Sequence, residues 1–376
     1  MNAEDHARFG IDLSRDTCND PWAFSSEMLQ RVSRTFALNI RVLPKTRLRQ
    51  PILLAYLFCR MADTVEDCPT LPAARKKTLL ALFAAIFSGG ATSWREATAA
   101  FTASLPESWQ TSEDDEEFLC AHCGWCLELY FALDESVRGP IAQCVVEMCD
   151  GMARFALRQA QANGEWLSIA DEADLDRYCY FVAGVVGNML SDLFCAQSPF
   201  INAARHAKMR ERAVSFGLAL QLVNIIKDAG EDRTREVCFI PMAWMREAGF
   251  AHPRDFFAES AKQAERLDVM HRMIAKAWRH LHDARDYILL IPAMEPRMRL
   301  FCQWPMLMAA ETLVAIGDGS VLFDSAQPVK IGRDAVKRIV RQTSLRAWRS
   351  AWFKRRFAFL AERGTRKCDG ARLDAT

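Results

Sequence analysis

The chain carries Asp63-Thr-Val-Glu66-Asp67 and, much later, Asp228-Ala-Gly-Glu231-Asp232. Each cluster places carboxylates at positions i, i+3 and i+4, which share one face of an α-helix. Each also follows a long apolar stretch, Ile52–Cys59 in the first case and Ala213–Ile226 in the second. Carboxylates on a largely buried helix face need a cation to neutralise them. The two clusters therefore predict two facing helices with a cation between them.

The donor set of these clusters is oxygen only, without His or Cys. Such donors suit Mg²⁺, which usually also binds waters and substrate phosphates. We therefore expect a magnesium-bridged diphosphate between the two helices. The expected metal ligands are Asp63, Glu66, Asp67, Asp228, Glu231 and Asp232.

Polar side chains extend both acidic faces upstream in helical phase. Tyr56 and Arg60 precede the first cluster, and Gln221 and Asn224 precede the second. One such cluster alone is usually a solvated helix face. Two clusters, each continued by a polar stripe between apolar flanks, are typical of helices that line a cavity.

Length, composition and charge limit the class of protein. The chain has 376 residues, of which 51% are hydrophobic, and a formal net charge of +1. This balance argues against a nucleic-acid-binding protein. The N-terminus lacks the apolar segment of a secretory signal. The longest uncharged runs, Tyr178–Ser191 and Ala213–Ile226, have 14 residues each, fewer than the ~18 of a membrane span. We therefore expect a cytoplasmic protein.

Apolar residues recur with a helical period along almost every long segment, and strand-like alternation is nearly absent. No long linker rich in Gly, Ser or Pro divides the chain. The prediction is an all-α protein with one catalytic domain over residues 1–335, whose two acidic helices share a central cavity.

Residues 336–376 differ from the rest. Between Lys337 and Lys367 there are eleven Lys or Arg residues and one acid, Glu362. Aromatic and basic residues interleaved in this way suit an interfacial helix on anionic lipid. We expect peripheral contact with the cytoplasmic face of a membrane, although a tail that packs on the body remains an alternative.

Thirteen cysteines are scattered along the chain, and without a signal peptide they are expected to be reduced. Cys120, Cys123 and Cys126 have spacing like part of an iron–sulfur motif, which needs a fourth ligand. The segment continues into an apparently helical run, so packing is the favoured interpretation. An electron-transfer protein built on this cluster is the alternative.

With these motifs on the page, the chain resembles the squalene/phytoene synthase family over about residues 25–335. The likeness is carried by Ser33-Arg34-Thr-Phe36, both acidic clusters, Tyr178–Gly187 and Asn224–Asp228. The first acidic cluster and the segment Phe301–Ala309 look more like squalene synthases than like phytoene synthases.

The resemblance implies an all-α isoprenoid-synthase bundle that joins two farnesyl diphosphates head to head through presqualene diphosphate. It also implies NADPH-dependent reduction to squalene and Mg²⁺ on the acidic clusters. Tyr178, Tyr56 and Arg60 become the catalytic candidates, the tyrosines for proton removal or shielding of the carbocation. Candidates for contacts with substrate or cofactor are Ser33, Arg34, Arg60, Gln221, Asn224, Lys227, Arg233 and Arg235.

The chain departs from the family pattern after the second cluster. Glu236 and Val237 stand where Gly-Arg is usual, and Lys227 stands where Arg is common. Arg233 and Arg235 are the candidates to replace the missing phosphate contact. Two alternatives remain open: a synthase that makes phytoene, dehydrosqualene or presqualene diphosphate without reduction, and a catalytically inactive helical scaffold that binds diphosphate.

Overall fold

The structure is a computed structural model and describes residues 20–88, 93–161, 166–258, 260–324 and 328–373. In these ranges it is a bundle of α-helices, which confirms the predicted all-α fold. The helices of the N-terminal half are α1 (Pro21–Val32), α2 (Arg34–Arg41), α3 (Gln50–Asp67), α4 (Ala73–Ser88), α5 (Trp94–Ser104), α6 (Asp115–Ala121), α7 (Gly124–Phe131) and α8 (Glu135–Gln161).

The C-terminal half adds longer helices and two short strands. The helices are α9 (Glu172–Cys179), α10 (Val185–Gln197), α11 (Ala203–Asp232), α12 (Met242–Glu247), α13 (Pro253–Phe257), α14 (Gln263–Leu290), α15 (Pro296–Ile316), α16 (Val321–Asp324), α17 (Arg333–Ser344) and α18 (Ser350–Leu373). The strands are β1 (Leu167–Ile169) and β2 (Val237–Pro241). Turns of π-helix lie at Lys45–Arg49 and Tyr180–Gly184.

The two acidic clusters end the two helices that define the site. Helix α3 begins after the π-helical turn, with Pro51 in its first turn, and ends at Asp67. Helix α11 begins at Ala203 and is preceded by the N-cap residue Asn202, whose side-chain oxygen accepts a hydrogen bond from the Arg205 amide at 3.0 Å. Each cluster thus occupies the C-terminal end of its helix.

Two glycines bring the chain of α9–α10 against α11. A Cβ atom on Gly187 would lie 1.9 Å from the Ala213 carbonyl oxygen, and one on Gly217 would lie 2.2 Å from that of Ala183. Only glycine permits backbones to approach this closely. The contact fixes the helix that carries Tyr178 beside the helix that carries the second acidic cluster.

A small parallel sheet lies at one edge of the site. Leu167 of β1 pairs with Val237 of β2. Arg158 anchors β1, since its guanidinium donates to the Ser168 carbonyl at 2.9 Å and to the Asp174 carboxylate at 2.8 Å. The apolar periodicity of the sequence did not predict these strands, which are short and lack a hairpin.

The basic tail is packed into the bundle as far as the structure describes its side chains. Phe353, Phe357 and Leu360 are buried. Arg356 donates to Glu311 of α15 at 2.5 Å. The boundary predicted at residue 335 falls inside α17. Packing accounts for part of the aromatic pattern, and membrane contact by the tail stays a prediction.

One helical stretch, Glu172–Gln197, is long and apolar enough to cross a membrane by length and composition. The lengths of the uncharged runs in the sequence did not predict such a stretch. Half of its most apolar window is buried inside the bundle. Tyr178 and Val182 from this stretch line a cavity. These features are typical of the core helix of a bundle.

Candidate active site

The acidic clusters face each other across one cavity of about 860 Å³, hereafter the acidic cavity. Helices α3 and α11 form its two principal walls. Its polar lining consists of Arg60, Asp63, Glu66, Asp67, Lys76, Tyr178, Gln221, Asn224, Lys227, Asp228, Glu231, Asp232 and Arg235. The structure thus brings the six predicted metal ligands to a single space, while their metal-binding role stays a prediction.

The acidic cavity continues into an apolar space of about 200 Å³, hereafter the apolar chamber. Five residues line both: Arg60, Asp63, Val182, Gln221 and Asn224. The chamber walls include Phe36, Ile40, Ile52, Tyr56, Met189, Phe216, Phe301 and Pro305. Charged groups are therefore concentrated at the mouth, and the interior is lined mainly by apolar side chains.

The position of the acidic clusters is electrostatically unfavourable in the free protein. Both lie at the negative end of a helix dipole, where an acid destabilises a helix by about 0.3–1 kcal/mol. The side chain of Asp63 is 32% exposed, and this exposed surface faces the cavity. Desolvation of the carboxyl group within the cavity wall raises the pKa of Asp63 to about 7. The charge of Arg60 partly opposes this shift, and the charge of Asp67 adds to it.

The neighbouring carboxyl groups Glu66 and Asp232 also have raised pKa values. Burial raises the pKa of Glu66 well above its usual value, and the charges of Asp67 and Asp63 add to this effect. Burial also raises the pKa of Asp232 to about 6, although Arg235 opposes the shift. Carboxyl groups held in this way bind a cation favourably, because the cation removes their mutual repulsion.

Arg60 is the cation at the junction of the acidic cavity and the apolar chamber. It donates a hydrogen bond to the Tyr56 hydroxyl at 3.2 Å, and its guanidinium lies 3.8 Å from Asp63 and 3.7 Å from Glu116. Burial disfavours its charge, but Asp63 and Tyr56 outweigh this and raise the pKa of Arg60. The buried Nε atom has no hydrogen-bond partner among the described residues.

Arg235, rather than Arg233, lines the acidic cavity. It donates to Asp232 at 2.5 Å. Glu236 follows in a left-handed conformation with φ of 57°, which explains why glycine is usual at this position. The Glu236 carboxylate bonds Arg254 instead, at 3.2 Å. The predicted replacement of the missing phosphate contact therefore favours Arg235.

Tyr178 lies in the wall of the acidic cavity within an aromatic group. Its ring stacks on Phe239 with centroids 4.6 Å apart and meets Phe155 edge to face at 5.0 Å. Burial raises the pKa of Tyr178 well above its usual value. Tyr56, deeper in the site, stacks on Phe36 at 4.7 Å. Both tyrosines thus present π-surfaces to the interior.

Ser33 and Arg34 are not part of the lining of either space. Ser33 caps α2, since its hydroxyl oxygen accepts a hydrogen bond from the Phe36 amide at 3.3 Å. Arg34 is exposed. Lys227 does line the acidic cavity and pairs with Asp228. The predicted contacts of Ser33, Arg34 and Arg233 with substrate or cofactor therefore have no counterpart in the cavity walls.

Lys76 and Phe239 are cavity residues that the sequence reasoning missed. Lys76 is buried on α4 and donates to the Glu66 carbonyl oxygen. The basic run Arg75-Lys76-Lys77 at the start of a mainly apolar helix was the available signal. Phe239 belongs to β2, and no motif marked it, because the strand itself was not predicted.

The donor groups of the acidic cavity determine which metal ion it suits. Among the described residues, no three His, Cys, Asp or Glu side chains converge on one point. Mg²⁺ usually needs only one or two carboxylates, with waters and substrate phosphates completing its octahedron. Oxygen-only donors on opposite walls therefore fit Mg²⁺ ions bridged by a diphosphate. Cys120, Cys123 and Cys126 are buried free thiols, as expected of packing residues.

Comparison with known proteins identifies the family. The squalene/phytoene synthase family model matches residues 29–333. The squalene synthase of Schizosaccharomyces pombe is 31% identical over 85% of this chain and 65% of its own length, slightly under two thirds. That of Nicotiana benthamiana is 27% identical over 86% of this chain and 70% of its own.

Solved structures agree on the fold. A ligand complex of TcSQS superposes with a TM-score of 0.71 at 23% identity, covering 93% of this chain and 99% of that chain. A dehydrosqualene synthase bound to a ligand gives 0.58 at 19% identity, covering 86% and 95%. The resemblance found in the sequence is thus confirmed. The chain belongs to the squalene/phytoene synthase family of prenyltransferases and is squalene synthase-like in sequence.

Proposed function

We propose that this protein is a squalene synthase that joins two farnesyl diphosphates head to head and reduces the product with NADPH. The observation that carries the proposal is the junction at Arg60, where a cavity lined by six carboxylates opens into an apolar chamber. Such a junction suits a substrate with a charged diphosphate and a hydrocarbon chain. The curated relatives named squalene synthases support this choice of substrate.

The acidic walls would hold Mg²⁺ through Asp63, Asp67, Asp228 and Asp232, with Glu66 and Glu231 beside them. Bound Mg²⁺ would supply Lewis-acid neutralisation of the charge on a departing diphosphate. Arg60, Lys227 and Arg235 add fixed positive charge around the same group. Preorganised charges of this kind favour bond cleavage because negative charge grows on the leaving oxygen.

The interior protects the carbocation that remains after the diphosphate leaves. Water would capture such a cation, so the walls must be apolar. Tyr56 and Phe36 offer ring faces in the chamber, and Tyr178 and Phe239 offer them in the acidic cavity. Aromatic faces attract a cation by about 0.5–2 kcal/mol each. Burial raises the pKa of Tyr178, so its hydroxyl stays neutral and can donate a hydrogen bond. A proton lost from the carbocation would have to pass to a stronger base such as a departing diphosphate.

Product analysis tests the proposal directly. With farnesyl diphosphate, Mg²⁺ and NADPH, we expect squalene by mass spectrometry. Without NADPH, we expect presqualene diphosphate or an unreduced hydrocarbon. Dehydrosqualene or phytoene as the product despite NADPH would contradict the reductive step and favour the non-reducing alternative. Mg²⁺-dependent diphosphate binding without turnover would favour the inactive scaffold, which the altered Glu236-Val237 pair motivates.

Arg235 and Arg233 form a matched pair for testing the phosphate contact. We expect Arg235→Ala to lower kcat/KM about 10–100-fold, because a hydrogen bond to a charged group is worth about 1.5–3 kcal/mol. Arg233→Ala should change kcat/KM less than about threefold, because Arg233 lines neither the acidic cavity nor the apolar chamber. Equal losses in the two variants would refute the assignment.

We further propose a cytoplasmic location with peripheral attachment to an anionic membrane. The basic composition of the tail supports attachment, since each Lys or Arg near an anionic surface adds about 1 kcal/mol. Removal of residues after Val340 should then weaken binding to anionic vesicles. Because α17 and α18 also pack on the bundle, this deletion needs a circular-dichroism control for folding.

A further inference from the structure

The bundle has two ends of opposite character. Helix α3 has 18 residues and α11 has 30, so at about 1.5 Å per residue they extend about 27 Å and about 45 Å. Both carry their acids at the C-terminal end, at the mouth of the acidic cavity. Their N-terminal ends, which begin at Gln50 and Ala203, therefore lie far from the mouth.

Four segments meet at this far end and are named the basic end: residues 41–49, 198–205, 294–299 and 345–349. Arg47 donates to the Gln197 carbonyl at 2.7 Å, and Ser198 donates to Glu295 at 2.8 Å. These contacts join the start of α3, the end of α10 and the start of α15.

Arg299 joins the fourth segment to the other three. It donates to the Ile291 carbonyl at 2.8 Å on one side. On the other it donates to the Trp348 carbonyl at 3.3 Å and to Ser350 at 3.0 Å. The loop between α17 and α18 is thus fixed beside the N-terminus of α15.

Large apolar side chains are exposed on the basic end. Leu345 is 71% exposed, Met294 68%, Trp348 57% and Phe200 43%. Single exposed apolar residues are common on protein surfaces. Four large ones on segments tied together by hydrogen bonds are not scattered, and they mark a contact surface.

The charged residues around these side chains are almost all basic. The four segments contain nine Lys or Arg residues and one acid, Glu295, in a chain whose net charge is only +1. Glu295 is buried and pairs with Arg47 at 3.6 Å, and Arg299 is buried as well, so the surface charge comes mainly from the other seven cations. Burial and the charges of Arg297 and Arg41 lower the pKa of Arg49, so like charges from two of the four segments repel one another. An anionic partner would relieve their repulsion.

The apolar chamber approaches the basic end from inside. Ile40 and Ile52, in its wall, lie next to Arg41 and close to Arg49 in the chain. Phe301, also in the wall, is one turn after Arg297 on α15. The acidic cavity and the apolar chamber therefore form one internal space that extends from the mouth towards the basic end.

We propose that the basic end docks on an anionic lipid bilayer, with Met294, Leu345, Trp348 and Phe200 inserted at the headgroup level and the surrounding arginines on lipid phosphates. Interfacial Trp with flanking Arg is the pattern that membrane surfaces favour. Docking in this way turns the acidic mouth towards water, where a charged substrate is dissolved. The apolar chamber then lies on the side of the protein nearer the bilayer. The value of this placement rests on the proposed function, because a hydrocarbon product needs an apolar destination.

This surface takes only the loop 345–349 from the predicted tail (residues 336–376) and leaves out its last helix, α18. Phe353, Phe357 and Leu360 of α18 are buried, so they cannot insert unless the helix detaches. Phe359, also on α18, is 48% exposed and lies outside the four segments of the basic end. It therefore provides a control of matched chemistry.

The test is sedimentation of the full chain with vesicles of phosphatidylcholine alone or with phosphatidylserine. We expect binding only with phosphatidylserine, weakened by salt. Met294→Glu with Trp348→Glu should reduce the bound fraction at least about tenfold, because two inserted side chains are replaced by acids. Arg297→Glu with Arg349→Glu should reduce it similarly. Phe359→Glu should bind like the unchanged chain, and circular dichroism should verify folding of every variant.

Three results would overturn the proposal: no binding of the unchanged chain, full binding of the Met294→Glu, Trp348→Glu variant, or loss of binding by Phe359→Glu alone. The last result would assign membrane contact to the tail helix. Product formation in detergent is measured separately and does not depend on vesicles. A folded protein that binds vesicles but makes no product would refute the proposed function and leave the docking surface intact.

Discussion

Asp63→Asn is expected to lower the rate of diphosphate release by at least about 10²–10³-fold, the loss typical when one electrostatic group at a reacting centre is removed. Asp63 lines both the acidic cavity and the apolar chamber, so its carboxylate lies where the charged and apolar parts of a substrate would meet. An amide keeps the shape but removes the negative charge that we propose binds Mg²⁺. Asp228→Asn, on the opposite wall, should have a similar effect.

Stability separates this loss from unfolding. Because its surroundings disfavour the charged form of Asp63, the Asn variant should be at least as stable as the unchanged chain without metal. Asp286→Asn is a suitable control, since Asp286 pairs with its neighbour Arg285 and lies outside both cavities. Pyrophosphate release and thermal melting should be followed together. Full turnover by folded Asp63→Asn would contradict the metal assignment.

The sequence predicted the elements that have a strong helical period. The acidic faces of α3 and α11 were predictable because side-chain spacing on a helix is fixed by its geometry. Their juxtaposition followed from the chemical need of buried carboxylates for a shared cation. The resemblance of motifs such as Asn224–Asp228 then added the family, which the comparisons confirm.

Other features depend on tertiary contacts that no local pattern encodes. Strands β1 and β2 have three and five residues, too few for a visible alternation. Apolar periodicity predicts one helix over residues 116–132 and one over residues 331–361. The structure divides the first between α6 and α7 near Cys123 and the second between α17 and α18. Apolar periodicity continues across such breaks because both helices pack on the same core.

The assignment of individual site residues was harder for the same reason. Arg233 and Arg235 are two positions apart, and only the short 3₁₀ turn at Arg233–Arg235 decides which one lines the cavity. Ser33 is part of a family motif, yet its hydroxyl caps α2. A motif therefore indicates which segment is important, while the backbone determines which side chain reaches the interior.

Gly187→Ala is expected to destabilise the protein by about 1–3 kcal/mol or more, the usual range for overpacking a filled interior. The added methyl group would lie 1.9 Å from the Ala213 carbonyl oxygen, and backbone cannot move aside as a flexible side chain can. Helices α10 and α11 would have to separate. Gly217→Ala should act in the same way, since its methyl group would meet the Ala183 carbonyl.

Gly124→Ala is the matched control, because a methyl group there meets nothing within 4 Å. As Ala favours helix by up to about 1 kcal/mol over Gly, this variant should be neutral or more stable. Denaturant unfolding of the three variants would compare them. If Gly187→Ala unfolds at the same denaturant concentration as Gly124→Ala, the close contact does not hold α10 against α11. If it unfolds earlier, activity should fall in the residual folded protein too, because separation of these helices moves Tyr178 away from Asp228.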